Sequence, residues 1–454
     1  MTPLLPVPEA FDVDVEVLIV GAGAAGMIAA LSAHERGRDV LLLEADAVPT
    51  GSTALSAGLI PAAGTRLQRE AGIDDTPELF ARDIMKKAKG ANDPALVEAL
   101  AEGAAEVIDW LSDAYGLPFS VVSDFSYPGH SRRRMHGLPS RAGRELIDRL
   151  RSTVENLGIP VIAQRRVQSL HADGKGAVRG VTAALPDGGL ETVGCAQLIL
   201  ACNGFGGNRE MVRQYMPEIG EAVYFGHAGN RGDAIRWGEA LGAGMDHLGA
   251  YQGHGNVAHP HGILISWAVI TEGGVQVNLE GRRFWDESQG YSEAARAVLA
   301  QPEGVAWAIF DERIAGIARQ FADFQDAEAQ GAVLTADSLA ELAAKTSLPA
   351  TTLEATLSGI GDGEDPFGRS FDPTKPLGAP YRAVRVTGTL FHTQGGLDIT
   401  PEARVRRSDG TVFPNLFAVG GAATGVSGTG DYGYLSGNGL LAAAVLGRIA
   451  GKRA

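Results

Sequence analysis

The stretch "VEVLIVGAGAAGMIAALSAHERGRDVLLLE", Val15 to Glu44, decides the fold. It opens on a continuous apolar run, Val15 to Val20, of the kind that fits a strand buried on both faces of a parallel sheet. "GAGAAG" follows. Next comes "MIAALSAHERG", which reads as a helix ending at Gly37, and then "DVLLLE", a second buried strand finishing at Glu44. Strand, helix and strand make a βαβ unit. Gly21, Gly23 and Gly26 occupy the GxGxxG frame, with Ala24 and Ala25 filling its variable places. Gly21 permits the tight turn, and Gly23 lets the backbone approach a pyrophosphate. Gly26 lets the helix pack close to the strand, and the helix N-terminus faces the phosphates. Glu44 follows about 20 residues on, positioned for a ribose hydroxyl. Alone the hexapeptide is weak. Between a buried strand and a helix it predicts a dinucleotide site, NAD or FAD.

The chain has 454 residues, 45% of them hydrophobic, which suits two or three domains of roughly 100–200 residues each. A net charge of −15 repels nucleic acid and anionic lipid. The basic cluster "SRRRMHGLPSR", Ser131 to Arg141, is too short to reverse it. Cys195 and Cys202 form no CxxC, which argues against a disulfide framework or a zinc site. A metal site at the histidines of "QGHGNVAHPHG", His254, His259 and His261, would need a convergent carboxylate or a further His, so they read as pocket wall or loop and no metal is expected. Trp110, Trp267 and Trp285 read as core or pocket wall. "MTPLLPVPEAFDVDV" lacks the charged and apolar regions of a signal peptide, and no apolar run is long enough to span a bilayer. The expectation is a cytoplasmic protein with no integral membrane segment and no nucleic-acid partner.

Further along, "GRELIDRLRSTVENLG" sets Leu146, Ile147, Leu150, Val154 and Leu157 at helical spacing, with Gly158 as the stop. "AQLILACNG" is another buried strand. Between about Glu218 and Pro380 the texture changes to mixed helices with more His, Trp and Gln. The chain then returns to strand-like "LFAVGGA" and the small-residue helix "GNGLLAAAVLGRIAG". The predicted organisation is an α/β Rossmann-type nucleotide domain over 1–217 and 381–454, with an α+β capping domain inserted over 218–380.

"PTGSTALSAGLI", "ILACNGFGGN", "NLFAVGGAATG" and "LSGNGLLAAAVLGRIAG" resemble the FAD-binding segments of the fumarate reductase and flavocytochrome c flavoprotein superfamily. The resemblance covers most of the chain. It implies an FAD domain interrupted by a mobile cap, with the active site between them. By that resemblance Ser52, Thr53, Ser56, Gly58, Gly204 and Gly420 belong to the FAD site, and Val167 meets the adenine through its backbone. Ser436, Asn438 and Leu440 approach the flavin ring, where the final helix points its N-terminus and stabilises reduced flavin. Members that attach FAD covalently carry a His after the second strand. Ser52 and Thr53 stand there instead, so non-covalent FAD is expected. Gly421 and Ala422 replace an acidic residue that many relatives use for the ribitol.

The segment "EGRRFWDESQGY", Glu280 to Tyr291, resembles a fumarate reductase motif that ends in a proton-donating arginine. Tyr291 takes that place. A second arginine, which clamps a carboxylate, is replaced by Tyr434 in "DYGYLSGNG". A dicarboxylate asks for charge-assisted, bidentate partners. Two tyrosines at these places instead resemble 3-ketosteroid Δ1-dehydrogenases and cyclohexanone-type dehydrogenases. That resemblance implies desaturation of a ketone, with the α-proton going to a base, the β-hydride to flavin N5, and donors on the carbonyl oxygen. Tyr291 is then the base, with Tyr127 as relay. Tyr434 is the carbonyl donor, helped by the N–H of Asn438, and Tyr432 is its competitor. The chain is shorter than typical steroid-acting members, which points to a smaller ring. His392 in "FHTQGG" matches the "HTxGG" of fumarate reductases. It binds a polar substrate group or hydrogen-bonds near the flavin. With the Arg132–Arg134 run it keeps a carboxylate-handling enzyme as the alternative. A third reading is a flavoprotein subunit that docks to electron-transfer partners. There is no haem motif and no Fe–S cysteine pattern, so the electron acceptor, whose identity is open, is separate.

Overall fold

The structure is a computed structural model describing residues 2–123, 127–361 and 365–454. Val17, Leu18, Ile19 and Val20 are buried, in a strand that runs Val13–Val20. Burial on both faces needs a partner on each side. Leu190–Leu200 and Val40–Leu43 supply them, both parallel. Val161–Ile162 extends the sheet in parallel beyond Val40–Leu43. Val412–Ala418 pairs in parallel with Leu198 to Leu200. The first part of Leu190–Leu200 pairs antiparallel with Val178–Ala184, which pairs in turn with Arg166–Ala172. Among the described residues these strands belong to one nine-stranded sheet. This is the expected Rossmann-type α/β fold.

The helix after the first strand is Ala24–His34, capped by Glu35, one turn shorter than the reading that ran it to Gly37. It packs against the C-terminal helix Asn438–Arg453. The small residues of that helix are there for closeness. A Cβ on Gly447 would lie 2.6 Å from the Ala25 carbonyl oxygen, and one on Gly451 2.2 Å from that of Ala29. The helix Gly143–Asn156 buries Leu146, Ile147, Leu150 and Val154. Leu157 departs from the expected stripe. It is the cap residue, past the last helical turn, and is 39% exposed.

The chain forms two compact units. The first holds Met1–Met216, Gly226–Tyr251 and His392–Ala454, and the second Pro217–Phe225 and Gln252–Phe391. Two boundaries differ from 218 and 380. Residues 226–251 return to the first unit because the helix Asp233–Leu241 is fastened there: the Trp237 indole N–H donates to the Gln168 carbonyl at 3.1 Å. The second unit extends past 380 because the strand Tyr381–Thr393 pairs with Val305–Asp311 from Tyr381 to Thr387. That strand also pairs with Val333–Ala336 and Val223–Tyr224. The helix Tyr291–Leu299 and others accompany this α+β sheet. No helix among the described residues is long and apolar enough to cross a membrane.

Candidate active site

The glycine frame is built for close approach. Gly21 has φ 104°, and a Cβ there would lie 2.6 Å from the Ala201 oxygen. A Cβ on Gly26 would lie 2.0 Å from the Gly21 oxygen, so the turn closes only over glycine. Gly23 is different. Its added Cβ would meet nothing nearer than Thr53 Oγ1 at 3.8 Å, leaving room for a ligand rather than for protein. Gly23 caps the helix with no side-chain hydrogen bond, and the N–H of Ala24 donates to Thr53 Oγ1 at 3.1 Å. Glu44 accepts from the Ala22 N–H at 2.8 Å and the Asp46 N–H at 2.9 Å. Its carboxylate therefore braces the turn, one backbone bond to each oxygen.

Ser52 and Thr53 begin a short 3-10 helix, Ser52–Leu55. Ser52 Oγ accepts from the side-chain amides of Asn203, at 3.2 Å, and Asn230, at 2.9 Å. Neither asparagine was a candidate from the sequence. Asn203 precedes Gly204 in "ACNGFG", a usable signal. Asn230 lies in the stretch assigned to the inserted domain, so nothing local pointed to it. Ser56 donates to the Thr53 carbonyl at 2.7 Å and accepts from the Gly58 N–H at 3.1 Å. Gly58 and Gly143 hold this turn against the helix Gly143–Asn156. A Cβ on Gly143 would lie 1.8 Å from the Thr53 oxygen. Val167 is buried, and its strand shifts register just after it. Gly204 donates its N–H to Asn203 Oδ1 at 2.8 Å, and Gly420 has φ 58°.

At the start of the C-terminal helix, Tyr434 is 7% exposed. Burial pushes its hydroxyl above the ordinary value of 10.0, while the backbone of Gly437 and Gly439 pulls the other way. It is a neutral O–H. His392 packs edge-on to it, with ring centroids 5.5 Å apart. Desolvation lowers His392 from 6.5 to about 4, so this ring is neutral too. Gln394 Nε2 lies 2.7 Å from His392 Nδ1, Ser427 Oγ donates to Gln394 Oε1 at 2.7 Å, and Asn438 Nδ2 donates to Ser427 Oγ at 3.1 Å. Gln394 and Ser427 were missed, although Gln394 stands inside the quoted "FHTQGG". The N–H of Asn438 corrects an expectation. It donates to the Leu435 carbonyl at 3.0 Å and is not free for a substrate oxygen. Leu440 is half-buried two residues further on. Tyr432 sits toward the surface, its hydroxyl 2.9 Å from Thr429 Oγ1 and its ring under the Lys89 ammonium at 4.8 Å.

Arg134 is not available to a carboxylate ligand. Its guanidinium is buried and bidentate to Asp75, at 2.8 and 3.0 Å, with Asp83 as a further partner. Beside it, His130 is depressed to about 4, chiefly by desolvation, and contacts the Ser436 carbonyl at 2.9 Å. Tyr127 packs against Leu59, Val122 and Met135.

In the second unit, "GRRFWDES" acts as a bracket. Arg283 pairs with Glu287 at 2.6 Å, and Glu287 also pairs with Arg369 at 3.2 Å. The Trp285 indole N–H donates to Gln276 Oε1 at 3.0 Å. The bracket ends at Gly290, φ 134°, a backbone that favours glycine, and Tyr291 opens the next helix. The Tyr291 ring stacks on His254 at 5.0 Å, His254 on Phe391 at 5.4 Å, and Phe391 on Phe225 at 5.2 Å. Desolvation lowers His254 to about 3. His259 and His261 are exposed, and no group of metal-ligating side chains occurs among the described residues.

These groups fit FAD. The open face of Gly23, the helix start without a side-chain cap, and the buried Asn438 Oδ1 with no protein partner are what a dinucleotide with a polar ring would complete. The FAD binding domain family matches residues 16–440. The chain is 33% identical over 448 residues to "Probable fumarate reductase Ifc3" of Shewanella frigidimarina, covering 97% of this chain and 74% of that one. It superposes on the open conformation of a flavocytochrome c3 fumarate reductase with a TM-score of 0.83 and 31% identity, covering 98% of this chain and 78% of that one. It also superposes on the 3-ketosteroid-Δ4-(5α)-dehydrogenase of Rhodococcus jostii RHA1 in complex with 4-androstene-3,17-dione, with a TM-score of 0.81 and 26% identity, covering 100% and 99%. The chain belongs to the FAD binding domain family, among relatives of the fumarate reductase and flavocytochrome kind, and is an FAD-dependent oxidoreductase.

Proposed function

We propose that this flavoprotein desaturates a small cyclic ketone to its α,β-enone. The observation that carries the reading is the neutrality of Tyr434 and His392. Tyr434 is buried with its pKa raised, and His392 is held near 4, where a carboxylate substrate would call for a cation. A ketone oxygen needs neutral donors that strengthen as enolate charge develops. The solved ketosteroid dehydrogenase supports the same chemistry; because this chain covers 99% of that steroid-acting chain, length corrects the expectation and does not separate a steroid from a smaller ring.

FAD is held by Gly21, Gly23, Ala24, Ala25, Gly26 and Glu44 at the pyrophosphate and ribose end, and by the backbone of Val167 at the adenine. Ser52, Thr53, Ser56, Gly58, Gly204 and Gly420 line its middle, and Ser436, Asn438 and Leu440 the ring. When bound, FAD supplies the acceptor for the β-hydrogen and its electron pair. Tyr291 takes the α-proton, with Tyr127 as its relay, and Tyr434 donates to the carbonyl oxygen. Tyr432 is the weaker choice for that role, because its hydroxyl is engaged by Thr429. The acceptor that later reoxidises the flavin is a separate molecule.

A second reading is a reductase acting on a carboxylate. His392 in its "HTxGG" setting and the 33% identity to a fumarate reductase favour it. Anaerobic flavin bleaching decides. Cyclohexanone-like ketones should bleach the flavin and succinate should not. Efficient turnover of succinate or fumarate overturns the ketone reading in favour of the second.

A further inference from the structure

Two contacts compete for His392 Nδ1. The Thr393 carbonyl, at 3.2 Å, would require Nδ1 to carry a proton, and the Gln394 amide nitrogen, at 2.7 Å, requires it to offer a lone pair. The amide is the shorter contact, and it is oriented from behind. Ser427 donates its only hydroxyl hydrogen to Gln394 Oε1, an oxygen that can only accept, and Ser427 Oγ in turn accepts from Asn438 Nδ2. That turns the Gln394 NH₂ toward the imidazole. The Thr393 carbonyl also lies within reach of this NH₂, at 3.5 Å, so serving it does not require a proton on Nδ1. A neutral imidazole carries one proton. With Nδ1 accepting, that proton lies on Nε2, an edge that no described residue hydrogen-bonds. Gly439 keeps that side close, since a Cβ there would stand 2.8 Å from Nε2.

We propose that Gln394 is a positioning residue: backed by Ser427 and Asn438, it fixes His392 as the Nε2–H tautomer, so that the ring offers an N–H, never a lone pair, to a substrate oxygen. The identity of that oxygen as a ketone carbonyl rests on the function proposed above, whereas the tautomer does not. Together with the Tyr434 hydroxyl this makes two neutral donors, and it disfavours substrates that present only a donor, such as an amide N–H, at the same place.

The test is histidine-selective ¹⁵N NMR on the substrate-free holoenzyme, with the His392 signals identified by their loss in His392→Gln. The expected result is an unprotonated Nδ1 that accepts a hydrogen bond and a protonated Nε2. Gln394→Met removes the donor and should shift the Nδ1 resonance. It should also raise KM for a ketone substrate about 3–10-fold, the value of one neutral hydrogen bond, and change kcat less. Gln394→Glu presents an acceptor instead and should move the proton to Nδ1, which serves as the second arm if the methionine variant does not fold. A wild-type Nδ1–H tautomer overturns the proposal. So does an Nε2–H tautomer that is unchanged in both variants. A correct tautomer in an enzyme that ignores ketones leaves this inference standing and removes only the proposed function.

Discussion

Tyr291 and Tyr434 carry the proposed reaction, and a single oxygen on each separates chemistry from packing. Tyr291→Phe keeps the ring in its stack with His254. Folding and flavin content should survive, while loss of a positioned base lowers kcat by about 10²–10⁴-fold. Tyr434→Phe should weaken ketone binding as well as slow turnover, because one donor to a developing enolate is worth on the order of 3 kcal/mol. Single-turnover flavin reduction separates binding from chemistry. Wild-type reduction rates in Tyr291→Phe would leave that tyrosine a packed ring and require another base.

At the scale of the element, one local device shapes the nucleotide turn and another leads into Tyr291. The glycine turn is one. Gly21→Ala puts a Cβ at positive φ and within 2.6 Å of the Ala201 oxygen. We expect a loss of about 1–3 kcal/mol from backbone strain alone, read as a lower Tm together with reduced visible flavin absorbance. The bracket before Tyr291 is the other. The side chains of Arg283 and Glu287 are 6% and 0% exposed. Arg283→Met leaves the buried Glu287 carboxylate without one of its two cations, a change that typically costs about 3–5 kcal/mol. The measurement is chemical denaturation, and an unchanged midpoint would show that Arg369 suffices for Glu287.

For the whole molecule, buried neutral histidines set the response to acid. His130, His136 and His392 are lowered from 6.5 to about 4, and His254 to about 3, each mainly by desolvation. Between these values and 6.5 the unfolded chain binds more protons than the folded one, so stability rises with pH across that window and is lost as pH falls through it. Denaturation midpoints at about pH 7 and about pH 5 should differ in that direction, the lower pH being weaker. Equal midpoints would mean these rings are protonated in the fold. In the proposed site FAD meets mostly backbone and hydroxyl groups, and no histidine stands between Glu44 and Gly58. Acid should therefore release all the flavin from the polypeptide, and colour retained on the denatured chain would show a covalent link.

The sequence by itself determined the nucleotide half. Strand, glycine turn, helix and strand are contiguous, and their geometry follows from local rules: apolar runs, the missing Cβ at Gly21 and Gly26, and small residues at Gly447 and Gly451 where two helices meet. The same rules misjudged ends. The helix stopped before Gly37, and Leu157 fell past the last turn. They also could not see partners brought together over long distances. Asn230 reaches Ser52 across 178 positions, and only the return of residues 226–251 to the first unit makes that bond. Arg134 read as a free cation until Asp75 and Asp83 closed around it, and the Asn438 N–H read as a free donor until Leu435 claimed it. Chain-local pattern names which residue types can do chemistry. Which of them are neutral, paired or oriented depends on burial and on hydrogen-bond partners remote in sequence, and folding alone supplies those.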